Sequence, residues 1–95
     1  MKERIKTNEK RLDEALKSIE ELYTAVETFK NKKQEIDKLN EYYGSKEWFK
    51  DKKDLEEKKI TNIKAGVLSE DSVWNMNEDI KDLLEELEQL IALYK

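Results

Sequence analysis

No cysteine, histidine or proline occurs in this chain, and its 95 residues include only two glycines, Gly44 and Gly66. Without cysteine there is no disulfide, no thiolate nucleophile and no sulfur ligand for zinc. Without histidine there is no imidazole base and no side chain that ordinarily titrates near neutral pH. The missing proline and scarce glycine argue against a turn-rich β fold and suit long helices. Long apolar runs are missing too. The longest, Leu90-Ile91-Ala92-Leu93-Tyr94, is far too short to span a bilayer. The charged start Met1-Lys2-Glu3-Arg4 lacks the apolar stretch of a signal peptide, so the expected location is the cytoplasm.

What is present is charge. Charged residues make up 44% of the chain and apolar ones 37%, near the balance at which chains stay disordered. Periodicity restores order. In a heptad with Ile5, Leu12, Ile19, Val26, Lys33 and Asn40 at a, the d positions hold Asn8, Ala15, Leu22, Phe29, Ile36 and Tyr43. Leu16, Tyr23 and Leu39 widen the stripe. The pattern predicts one helix over about 2–43, whose stripe either faces the core of a helical bundle or forms a coiled-coil seam. Gly44 fits the left-handed position past a helix end, and Ser45 can cap a second helix. Residues 45–66 are expected to form a short helix over Trp48 to Leu55 plus a connector. Ile60, Ile63 and Ala65 tuck that connector onto the core.

Gly66-Val67-Leu68-Ser69-Glu70-Asp71-Ser72-Val73 marks the next start. Gly66 lets the chain turn, Ser69 is a helix cap, and Glu70 and Asp71 suit the positive end of a helix dipole. Leu68 and Val73 have the spacing of a hydrophobic staple. The last helix is expected over about 70–94, with Val73, Met76, Ile80, Leu83, Leu84, Leu87, Leu90, Ile91 and Tyr94 on one face. The expected fold is therefore all-α, a single domain. It is a long antiparallel helical hairpin with a short middle helix, a coiled-coil-like three-helix bundle.

At 1.5 Å per residue the first helix would be ~60 Å long and the last ~37 Å. An antiparallel partner starting at Gly44 would reach back only to about residue 18, leaving Ile5, Leu12 and Leu16 bare. Uncovered stripes of that kind mark interfaces, and the expected partner is a second copy in a homodimer. A frayed or kinked first helix is the alternative.

Chemistry has little to stand on. Ser45, Ser69 and Ser72 sit at cap positions with no base beside them. Asn75, Asn77, Asp79 and Glu86 have partial calcium-loop spacing, but Ile80 occupies the position of the required glycine. The lysine clusters at 30–33, 50–53 and 58–59 are interleaved with or followed by acids, which disfavours a nucleic-acid surface. Residues 70–95 hold eight acids and two bases, a net of −6, and the remainder nets +2. That asymmetry implies an acidic outer face on the last helix, either solubilising or suited to a basic partner. No catalytic residue, cofactor or metal is expected. Tyr42, Tyr43, Trp48, Phe49 and Trp74 surround the Gly44 corner. They form either a small aromatic core or a binding hot spot.

Tyr42-Tyr43-Gly44-Ser45-x-Glu47-Trp48-x-x-Asp51, followed by Gly66-Val67-Leu68-Ser69-Glu70-Asp71-x-Val73-Trp74-Asn75, resembles a small bacterial family, domain of unknown function 4298. Its members are short and helical throughout, and occur largely in Gram-positive bacteria. The resemblance spans essentially the whole chain and implies no activity or cofactor. The expected function is a non-enzymatic interaction protein that self-associates. The alternatives are an adaptor or chaperone, including one similar to the WXG-type hairpins of secretion systems, and a mobile-element inhibitor imitating nucleic acid with its acidic helix.

Overall fold

The computed structural model describes residues 2–95. Its helices are α1 (Lys2–Lys30), α2 (Lys33–Tyr42), α3 (Lys46–Glu56) and α4 (Ser72–Tyr94), with a 3-10 turn at Gly66–Leu68. Among the described residues there is no strand, so the chain is all-α. It divides into two compact units, the first ending at Ile36 and the second spanning Asp37–Lys95. No helix among the described residues is long and apolar enough to cross a membrane.

In the first unit, α1 has neither glycine nor proline and is rich in Glu and Lys, both good helix formers. Lys10–Glu14 and Lys17–Glu21 pair one turn apart at 4.0 and 3.9 Å. Both pairs are exposed and add little. No residue of α1 is buried. The helix ends where the sequence predicted continuation, so the helix expected over 2–43 is two helices. The amide of Asn31 still reaches back four residues to the Glu27 carbonyl, whereas that of Lys32 reaches back only three, to Phe29. That is a tightened last turn. Two features favour a break here. Thr28 donates its hydroxyl to the Thr24 carbonyl at 3.0 Å, a bond that bends helices. Residues 30–35 also supply no apolar side chain to anchor the helix.

In the second unit, Gly44 ends α2 with φ of +80°. Ser45 caps α3, its side chain accepting from the amide of Trp48 at 3.2 Å. α3 starts two residues before the expected short helix and ends one residue after it. It closes on a Schellman turn, with the amide of Lys59 bonded to the Asp54 carbonyl and that of Lys58 to the Leu55 carbonyl. Lys58 takes the left-handed position, with φ of 60°, where glycine is usual.

Ser69 caps the start of α4, accepting from the amide of Ser72 at 3.1 Å. The helix itself begins at Ser72, so Glu70 and Asp71 stand in the turn before it and not in its first turn. Trp48, Leu68 and Val73 are the buried core among the described residues. Leu68 and Val73 flank the Ser69 cap as a staple does. Ile60 and Ala65 are half-buried beside them in the sequence, but Ile63 is exposed, so the connector is tucked in only partly.

Candidate functional site

The polar and aromatic groups of the second unit converge on the Gly44 corner. Because Ser45 starts α3, Trp48 falls in its first turn with its side chain inward. Trp48 is 3% exposed. Its indole Nε1 donates to the Val67 carbonyl at 2.9 Å, which ties α3 to the 3-10 turn. Tyr43 and Phe49 meet the Trp48 ring edge-on, at centroid separations of 5.3 and 4.9 Å. Lys52, one turn along α3, places its ammonium 5.2 Å from the same ring.

Glu70 gathers two of these elements. Its carbonyl accepts from the Tyr43 hydroxyl at 2.6 Å, and its carboxylate pairs with Lys52 at 2.8 Å. The hydrogen bond between them raises the Lys52 pKa and lowers that of Glu70. Tyr42 donates its hydroxyl to Asp51 Oδ2 at 2.6 Å. That bond, with burial and the Asp51 charge, pushes the Tyr42 phenol up to about 12. Tyr42 and Asp51 also border a half-open cavity of about 230 Å³ with Leu55, Ile60, Ala65 and Leu68.

One turn before the corner, Asn40 and Asn77 exchange amide hydrogen bonds. Asn40 Nδ2 donates to Asn77 Oδ1 at 3.3 Å, and Asn77 Nδ2 donates to Asn40 Oδ1 at 2.8 Å. Two amides placed face to face satisfy each other, so Asn40, a polar interruption of the seam, is a specific link between α2 and α4.

The five rings expected at the corner separate into different roles. Trp48 is core. Tyr42 and Tyr43 are half-buried and spend their hydroxyls on Asp51 and Glu70. Phe49 is 60% exposed despite its contact with Trp48, and Trp74 is 58% exposed. Trp74 makes no ring contact among the described residues. Gly66 opens the 3-10 turn, where an added Cβ would meet nothing within 4 Å and φ is not left-handed. The turn there does not need glycine. Asp71 adjoins the start of α4 without a capping side-chain bond. Nothing in the sequence marks Asp51, Lys52 and Asn77 as the partners of this corner, because a charged helical sequence offers many equivalent candidates.

Asn75, Asn77 and Asp79 lie inside α4, a continuous helix and not a calcium loop. Among the described residues, no group of three or more acidic, histidine or cysteine side chains is placed to hold a metal.

In the first unit, Leu12 and Leu16 are exposed on α1, as are Ile5, Ile19, Leu22, Tyr23 and Val26, at 39–70%. Ile19, Leu22, Tyr23 and Val26, with Glu27 and Lys30, line a shallow groove of about 370 Å³ along the helix.

A family pattern matches residues 5–94. The chain belongs to that family, described as domain of unknown function (DUF4298). The match covers both helical units and contains both ends of the Trp48–Val67 link. No curated protein matches the chain, and no solved structure does.

Proposed function

We propose that this member of the family is a non-enzymatic helical protein that works through protein–protein contact, and that its first partner is another copy of itself. The observation that carries this reading is the bare apolar stripe of α1, none of whose residues is buried. A helix of this length derives most of its stability from packing its apolar face, and a second copy supplies such packing. The corner around Trp48 is the rigid part of the protein in this reading. The finer architecture proposed is a helical hairpin in which α4 returns antiparallel along α2. It is supported by the order of the Tyr43–Glu70 and Asn40–Asn77 bonds. The charged, membrane-free chain is assigned to the cytoplasm.

Light-scattering chromatography over a range of concentrations tests this. A dimer whose mass falls to the monomer in the Leu12→Asp/Leu16→Asp variant supports it. A monomer at every concentration removes self-association and moves the search to a foreign partner. The exposed Phe49 and Trp74 favour that second reading, because aromatic side chains dominate binding hot spots.

A further inference from the structure

The exposed face of α1 has a handedness of its own. Its a row is Ile5, Leu12, Ile19 and Val26, and its d row is Asn8, Ala15, Leu22 and Phe29. The two edges differ. Beside the a row, the e positions include Leu16 and Tyr23. Beside the d row, the g positions are Arg4, Arg11, Ser18 and Ala25. One edge thus extends the apolar stripe and the other ends it.

Coiled-coil geometry turns this difference into a choice of direction. In a parallel pair each e edge lies against the partner's g edge. Leu16 and Tyr23 would face Arg11 and Ser18, and Ala15 would face Ala15 across a void. The one gain would be an exposed Arg4–Glu9 contact, which contributes little. In an antiparallel pair e lies against e and g against g. Leu16 then meets Leu16, Tyr23 lies against Glu9, and Arg11 faces Ala25 with no like charge opposite it.

The groove on α1 fits the antiparallel choice. Ile19, Leu22, Tyr23 and Val26 are spaced i, i+3, i+4, i+7, the four-residue hole that receives a knob in coiled-coil packing. With the two copies overlapped about Lys17, Leu12 of one lies level with this hole in the other. Ile5 then lies level with Phe29 and Ala15 with Ile19, so small and large side chains alternate. The two-fold axis passes at the level of Lys17, and Leu16 meets Leu16 beside it, as an isologous interface allows.

We infer that α1 is the interface of an antiparallel homodimer, with its two-fold axis at the level of Lys17 and with Leu12 seated in the second copy's Ile19–Leu22–Tyr23–Val26 hole. This rests on the self-association proposed above. The size is adequate. The seven exposed apolar side chains offer on the order of 100 Å² each, so the pair buries ~1,400 Å² in all, within the range of stable specific interfaces.

The lack of native cysteine makes the test clean. Leu12→Cys and Leu22→Cys are prepared singly and then mixed, and each sample is equilibrated in glutathione buffer. The expected result is a mixed disulfide between the two variants and none within either variant alone. Disulfides within each variant alone would show a parallel pair and overturn the inference. Should either substitution weaken the dimer, Lys6→Cys carries a spin label outside the stripe. The antiparallel pair separates its two labels by at least ~33 Å along the axis, and a separation set by helix width alone overturns it. If the unsubstituted chain is a dimer by light scattering but neither pattern appears, α1 is not the interface, although self-association stands. If it is a monomer throughout, both fall.

Discussion

The indole N–H of Trp48 and the carbonyl of Val67 are joined at 2.9 Å, and that one bond fastens α3 to the turn that launches α4. Trp48 is also among the few buried side chains. Replacing it with Phe keeps most of the ring and leaves the Val67 carbonyl without its donor, at a cost of about 1–3 kcal/mol. Trp48→Ala removes the ring as well and should cost ~3–5 kcal/mol. Urea denaturation followed by circular dichroism should rank the three proteins in that order. An unchanged midpoint for Trp48→Ala would show that this corner does not hold the second unit together.

The two glycines should respond differently to the same change. Gly44 has φ of +80°, where a Cβ is strained, whereas Gly66 has open space and no left-handed φ. Gly44→Ala should cost roughly 1–2 kcal/mol. Gly66→Ala should be neutral, or stabilising by up to ~1 kcal/mol through the unfolded state. Thermal melts of the two variants give the comparison, and equal losses would contradict it.

Lys58 holds the left-handed place of a Schellman turn with φ of 60°. Lys58→Gly removes the side-chain strain there, offset in part by the greater freedom of glycine in the unfolded chain. The expected gain is up to ~1 kcal/mol. Chemical denaturation should show a higher midpoint at unchanged slope.

Alkaline titration should find Tyr42 ionising late. Tyr42 is held up to about 12 by its bond to Asp51. The fold therefore favours the neutral phenol. That contribution is complete below pH 10 and is lost as pH rises from 10 to 12. Phenolate absorbance, compared with that of Tyr42→Phe, should show Tyr42 ionising above its ordinary range, and Asp51→Asn should return it towards that range. The Lys52–Glu70 pair works at both ends of the scale. Through Glu70, whose pKa is lowered, its contribution is lost as pH falls through that lowered value. Through Lys52, whose pKa is raised, it is lost as pH rises through the raised one.

The helical class and the family were legible in the residues, and the local punctuation was too. Gly44, Ser45 and Ser69 are residue types with few other structural uses, and each terminates or caps a helix here. The break after Lys30 was not legible, since no glycine or proline marks it. It comes from a tightened last turn in a stretch with nothing apolar to anchor it. Lys58 in a glycine's position was hidden for a related reason, because hydrogen bonds from Lys58 and Lys59 impose the conformation and the residue type does not announce it. Of the five rings, Tyr43 and Phe49 meet Trp48 and Trp74 meets none among the described residues, and which ring turns inward was not legible. Trp48 and Phe49 are consecutive on a helix, so their side chains point about 100° apart, and only the placement of α3 decides which one turns inward. Asn40 read as a flaw in the seam until Asn77 was placed opposite it.

Trp48 and Trp74 are the chain's two tryptophans, one almost wholly shielded and the other more than half open to water. The protein consequently carries two intrinsic fluorophores with separate sensitivities. The shielded indole emits to the blue and is closed to soluble quenchers. The wetted one emits to the red and is open to them. A ligand settling near the start of α4 alters the second and spares the first, while loosening of the corner does the reverse. Docking and unfolding can therefore be watched separately in the same unlabelled sample.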